Sequence, residues 1–180
     1  VLAKTLSAKN EVIIISGDQD YKQCLKHNNV KLWDPGGFNK KPGFSKLECD
    51  TNDWINALSL HGQNKDNIYN VYTKIDFPID ININRESKDI LPIRKPSFPE
   101  KKAWDIIKSN SLEKWLTEIG PEEARKKNKL IEKENIQRNI DNLHPKALYE
   151  ENVSDRFKIN KQLISFDAIP STLSNRIINQ

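Results

Sequence analysis

Four consecutive β-branched apolar residues, Val12-Ile13-Ile14-Ile15, run directly into Ser16-Gly17-Asp18-Gln19-Asp20. No other stretch of the chain restricts the fold as strongly. An amphipathic helix would break such a run with polar residues, and a half-exposed strand would alternate. An unbroken run reads instead as a central parallel strand covered on both faces, the strand of an α/β sheet. In open sheets of that class ligands collect beyond the carboxyl ends of the strands. Asp18 and Asp20 therefore stand where a metal or phosphate site is expected. The residues alone leave a second reading open, in which the two carboxylates cap a short helix over Tyr21 to Lys26.

The rest of the chain organises around this strand. Val1 to Leu6 reads as the middle of an amphipathic helix and the sequence contains no methionine, so a piece of a longer protein is expected. Val30 to Trp33 is a second strand, followed by a basic, turn-rich loop, "DPGGFNKKPGFSK", that carries Lys40 and Lys41. Asp50 to Asp53 opens a helix with Trp54, Ile55 and Leu58 on one face, and Gly62 ends it. The Asn- and Pro-broken stretch 76–96 reads as loop. Ser97-Phe98-Pro99-Glu100 has the spacing of a capping box and predicts a helix with Ala103, Trp104 and Ile107 buried. A further helix presents Leu112, Trp115, Leu116 and Ile119 and is predicted to stop at Gly120-Pro121. A charged, exposed helix or helix pair follows over 122–142, with a thin stripe through Ile136, Ile140 and Leu143. Finally "KQLISFDAIP", residues 161–170, has strand-like composition and is predicted to pair back onto the sheet. The predicted organisation is an α/β core over 1–49, a helical region over 50–155 and a returning segment over 156–180.

Charge narrows the function. Thirty per cent of the residues are charged and the net charge is +4, a modest basic bias. No apolar run reaches the roughly 18 residues of a membrane-spanning helix. Cys24 and Cys49 lack CxxC spacing, which suits buried thiols in a reducing compartment better than a disulfide or a zinc site. His27, His61 and His144 are scattered singly. Lysines 101, 102, 126, 127 and 129 read as solvated surface, and the tryptophans at 54, 104 and 115 as core on helical stripes.

Three ordered blocks, "LAKTLSAKNEVIIISGDQDYKQCLKHNNVKLWDP", "HGQNKDNIYNV" and "DRFKINKQLISFDAIPSTLSNRIIN", resemble the middle and later part of tailed-phage ribonucleases H. These are 5′ to 3′ exonucleases of the flap-endonuclease superfamily. The resemblance implies the C-terminal part of a PIN-like parallel-sheet nuclease core, with a helix-three-turn-helix-type DNA-binding region. It implies hydrolysis of phosphodiesters with two Mg²⁺ or Mn²⁺ ions held by carboxylates. Asp18 and Asp20 match the SxDxD acids, and Asp66 matches the second acid of the turn that opens the helix-three-turn-helix. Gln63 replaces the first. Further acids of the family would precede Val1. Asn64, Lys65 and Asn67 would help the turn hold duplex phosphates, with Lys40 and Lys41 near the acids. Implied substrates are branched, nicked or flapped duplex DNA and RNA–DNA hybrid, in the cytoplasm of an infected host cell. Implied protein partners are a phage single-strand-binding protein or clamp.

Two other functions fit parts of the sequence. A DxD glycosyltransferase would use Asp18 and Asp20 for a metal and a sugar-nucleotide diphosphate, but leaves "HGQNKDN" and "FDAIP" without a role. A DNA-binding piece without catalysis would keep the helical region and retain the acids as a relic. An EF-hand fails because Lys22 stands where a third oxygen ligand is needed.

Overall fold

The computed structural model describes residues 1–36, 41–74, 96–138 and 149–178. The chain divides into two compact units, Val1–Asn56 with Gln162–Gln180, and Ala57–Lys161. The mixture of helices with a small sheet is of the α/β kind. The expectations for Lys40, for residues 76–95 of the predicted loop and for Ile140 and Leu143 fall outside the described residues.

The first unit holds the sheet, in the order β1-β2-β3. Strand β1, Val12–Ile15, follows helix α1, Leu2–Ser7, and pairs in parallel with β2, Val30–Asp34, in the register Val12↔Val30 to Ile15↔Trp33. The loop predicted after β2 contains a short antiparallel strand, β3, Gly43–Phe44, which places Phe44 against Trp33 with ring centroids 4.9 Å apart. The parallel pairing is as expected, but the central position is not: β1 lies at the edge of the described sheet. Nor is it covered on both faces, since Ile13 is 51% and Ile15 71% exposed. Val12 and Ile14, on the other face, line an apolar groove with Leu2, Leu6, Tyr21 and Phe166. An unbroken apolar run is free of polar atoms on both faces, yet which faces are covered depends on the layers around it, and the described residues cover only the Val12 and Ile14 face.

The segment 161–170 is helical and not a strand. Helix α6, Val153–Ile164, runs on into a 3-10 turn, Phe166–Ala168, before helix α7, Ser171–Ile178. The buried Gln23 explains the difference. Its amide donates to the Ile164 carbonyl (2.9 Å) and accepts from the Phe166 N–H (2.9 Å). A side chain thus takes the backbone groups that a sheet ladder would have used.

The second unit is helical around one core. Ala57, Leu60, Val71, Tyr72, Phe98, Ala103, Ile106, Ile107, Trp115 and Leu116 pack together with Val153 and Phe157. Helix α2, Thr51–His61, starts as expected, with Asp50 accepting the Asn52 N–H (2.7 Å), and Gly62 at φ +78° closes it. Helix α3, Glu100–Lys108, begins one residue after Pro99, which is its N-cap without a side-chain bond, so Ser97 does not form the expected capping box. The Pro99 carbonyl accepts the Ala103 N–H, the first bond of the helix.

Gly120-Pro121 does not stop the next helix. Helix α4, Leu112–Lys114, continues through a π turn, Trp115–Ile119, into α5, Gly120–Arg138. Proline lacks a donor and its ring crowds the carbonyl four residues back in an α-helix. The wider π turn shifts bonding to the fifth residue, with the Gly120 N–H on the Trp115 carbonyl. Gly120 has a packing role too, because a Cβ there would lie 2.9 Å from the Trp115 ring. The same insertion carries Ile119 outward, to 38% exposed, off the buried stripe.

Candidate functional site

The acid pair sits where the parallel ladder ends. The Ser16 N–H donates to the Trp33 carbonyl (3.0 Å), extending the pairing one residue past β1. Ser16 Oγ then accepts the Asp18 N–H (3.0 Å), and Asp18 Oδ1 accepts the Asp20 N–H (3.1 Å). Asp18 is thereby the N-cap of a 3-10 helix, Gln19–Lys26. A carboxylate offers about four lone-pair sites, so capping through one oxygen is compatible with coordination through the other. Asp18 is exposed and Asp20 half-buried.

A third carboxylate, unforeseen from the sequence, lies at the matching end of β2. Asp34 is fully buried, and its Oδ1 accepts the Gly36 N–H (2.9 Å), tying the turn in which Gly36 adopts φ +104°. The Asp-Pro-Gly-Gly string was the available signal, since Asp at the start of such a turn bonds its own backbone two residues on. Lys41 is exposed in the approach to β3. At the far end of the 3-10 helix Lys26 pairs with Asp167 at 2.5 Å, and this bond holds the Asp167 carboxyl below its ordinary range. With its carboxylate 65% exposed, the pair stabilises by under about 1 kcal/mol.

The second unit carries the other predicted residues on one tight turn. Gln63 and Ile68 form an antiparallel bridge, with N–H to carbonyl bonds of 2.8 and 3.0 Å in the two directions. Asn64–Asp66 between them make a 3-10 turn that ends on Asn67 in the left-handed region, φ 57°. The result exposes Asn64, Lys65, Asp66 and Asn67 together at the tip. Gly62 permits this closure: a Cβ there would stand 2.4 Å from the Ile68 carbonyl oxygen. Helix α6 supplies the anchor. The fully buried Asn160 donates from Nδ2 to the Ser59 carbonyl (2.9 Å) and to the Tyr69 carbonyl (2.8 Å), holding both ends of the turn. Nothing in the sequence singled out Asn160, because its two partners lie 101 and 91 residues away.

At the end of the sheet Asp34 is buried, whereas Asp18 and Asp20 offer carboxylate oxygens with access to water. They suit Mg²⁺ in kind, an ion held by one or two carboxylates while keeping several waters. Among the described residues no group of three or more His, Cys, Asp or Glu side chains is assembled for an ion. No described helix is long and apolar enough to cross a membrane.

No family model matches the chain. Among curated proteins it is similar to Ribonuclease H of Enterobacteria phage T4, at 28% identity over 183 aligned positions. The alignment takes in 99% of this chain and 45% of that protein, so the chain spans less than half the length of its relative.

Proposed function

We propose that this chain is the later part of a divalent-metal-dependent structure-specific 5′ nuclease, which removes RNA primers and short 5′ flaps. The observation that carries the reading is the similarity to a phage ribonuclease H along 99% of the chain, joined to an acid pair at the carboxyl end of a parallel strand. Asp18 and Asp20, with Asp66, would hold the metal ions. Bound metal would supply a water of lowered pKa and charge stabilisation at the phosphodiester. The chain's own contribution is to fix the Asp18–Asp20 pair through Ser16 and the cap, and to present Asn64, Lys65 and Asn67 on a rigid turn to phosphate oxygens. Phosphate contacts of that kind position a duplex without reading its sequence. Flapped, nicked or branched duplex DNA and RNA–DNA hybrid are the proposed substrates, with a phage single-strand-binding protein or clamp as proposed partners.

The test is cleavage of a 5′-flap substrate with Mg²⁺ by the gene product that contains this chain. Asp20→Asn should abolish turnover while leaving flap binding in EDTA within about twofold, since phosphate contacts carry binding. Full activity in Asp20→Asn would remove the acid pair from the reaction. Gln63→Asp should lower the Mg²⁺ concentration for half-maximal cleavage, because an added carboxylate offsets more of the ion's dehydration. An unchanged requirement would place Gln63 outside the metal shell.

A second reading is a DNA-binding piece that does not cleave by itself, supported by the exposed tip of the 62–68 turn, which presents Asn64, Lys65 and Asn67 together. The 180-residue chain would then bind flapped DNA with steep salt dependence and hydrolyse none of it.

A further inference from the structure

Three of the lysines that the sequence presents as ordinary surface come together around one pocket of the second unit. It has a volume of about 340 Å³ and is lined by Tyr72, Tyr149, Lys102, Glu123, Lys126 and Lys127 among others. Lys102 comes from α3, and Glu123, Lys126 and Lys127 from α5.

The floor of this pocket is fixed from several directions. The Tyr72 hydroxyl donates to the Glu123 carboxylate, which Lys102 also engages, and Lys102 Nζ lies 3.2 Å from the Tyr72 oxygen. The Lys102 ammonium stands 5.4 to 5.6 Å from the ring centres of Tyr72, Phe98 and Trp115. Tyr149 packs edge-on to Tyr72 with centroids 5.6 Å apart. Its backbone is held on both sides by the buried Asn128, which accepts the Tyr149 N–H (2.9 Å) and donates to the Tyr149 carbonyl (3.1 Å). Glu123 is thus already neutralised inside the floor by Lys102. The remaining charge at the mouth is cationic. Lys126 shares an exposed i,i+4 pair with Glu122 (2.8 Å), an interaction weak enough to be exchanged. Lys127 has no carboxylate partner among the described residues.

We propose that this pocket is a second, metal-independent phosphate site for the nucleic-acid strand, separate from the 62–68 turn, in which Lys126 and Lys127 bind backbone phosphate at a mouth walled by Tyr149. It rests on the proposed nuclease reading for the identity of its ligand. A pre-formed wall with two cations suits a flexible polyanion, because the strand and not the protein then bears the ordering. Tyrosine beside lysine is also the combination that holds unpaired nucleotides.

The experiment is fluorescence anisotropy of the 180-residue chain with a labelled 5′-flap duplex in EDTA over a salt series. Four proteins are compared: wild type, Lys126→Ala/Lys127→Ala, Lys65→Ala, and Lys129→Ala/Lys133→Ala as a charge-matched pair on α5 outside the pocket lining. The pocket pair should weaken binding about 3- to 10-fold and reduce the log–log salt slope by about 1 to 2, the value for one or two lost phosphate contacts. The control pair should do neither. An unchanged slope in the pocket pair with a loss in Lys65→Ala overturns the pocket and leaves the nuclease reading standing. Equal losses in the pocket and control pairs overturn the pocket as well, reducing it to general charge. No flap binding by wild type overturns both.

Discussion

The two units hold their polar sites with different balances of apolar packing and side-chain-to-backbone bonds, the latter supplied in the second unit by Asn160. In the second, the turn at 62–68 with its exposed tip accompanies a closed apolar cluster in which the Tyr72, Phe98 and Trp115 rings touch one another and Tyr149 packs on Tyr72. In the first, the acid pair stands on a sheet of which Ile13, Ile15 and Phe44 remain exposed. There, backbone-to-side-chain bonds do the fixing: Ser16 to Asp18, Asp18 to Asp20, and Gln23 to the returning segment. Apolar packing fixes a backbone wherever enough layers meet, whereas directed hydrogen bonds fix it with one layer, at about 1 kcal/mol net each. The difference predicts that the second unit is sensitive to lost volume and the first to lost donors and acceptors.

The largest expected effect is therefore Trp115→Ala, which empties the centre of the aromatic cluster and should cost about 3 to 5 kcal/mol in urea unfolding. Hydrogen exchange shows where the protection goes. Loss in α3 and α5 is expected, and equal loss along the β1–β2 ladder would break the contrast by making both units one cooperative core. Gly62→Ala follows, at about 2 to 3 kcal/mol, because it combines positive φ with a backbone oxygen at 2.4 Å. Unchanged stability there would mean that the 62–68 turn reopens freely. Gln23→Ala leaves the Ile164 carbonyl and the Phe166 N–H without their partner, and should cost about 1 to 3 kcal/mol. A smaller loss than from a surface Gln→Ala elsewhere would show that apolar contacts hold the returning segment.

His61 provides a smaller, pH-dependent probe of the second unit. Burial holds its imidazole below the ordinary value of 6.5, against an opposing pull from Glu100. The unfolded chain then binds the proton more readily than the folded one. Stability is full above about pH 6.5 and falls as the pH drops below it. His61→Gln should flatten that part of the profile, and a profile unaltered by the substitution would remove His61 from it. Smallest of all is Ile15→Thr, within about 0.5 kcal/mol either way, since Ile15 is 71% exposed.

What the sequence disclosed follows the range over which each signal acts. The parallel pairing of Val12 to Ile15, the helix start at Asp50 and the stop at Gly62 were readable because their causes lie within a few residues. Edge position was not, because an apolar run carries no record of how many layers cover it. The strand expected at 161–170 failed for a related reason: Ile164 and Phe166 suit a strand, but Gln23, 141 and 143 residues away, takes their backbone groups. Gly120-Pro121 misled because the π turn that admits the proline depends on Trp115 packing against the glycine. For the candidate site, the acid pair and the turn tip were legible as motifs, while Asp34 and Asn160 owe their positions to tertiary contacts.

Asp18 and Asp20 are proposed as a metal site of a nuclease and not only as a helix cap. Mn²⁺ binding to the 180-residue chain, followed by the loss of free-ion EPR signal, tests this most directly. Asp18→Ser keeps a capping oxygen at the N-terminus of the 3-10 helix while removing a carboxylate. Asp18→Ser and Asp20→Asn should each weaken Mn²⁺ binding at least about tenfold without loss of fold, the scale expected from removing one of few anionic ligands. Equal Mn²⁺ affinity in wild type and both variants would contradict the proposal, leaving the two aspartates as a cap alone.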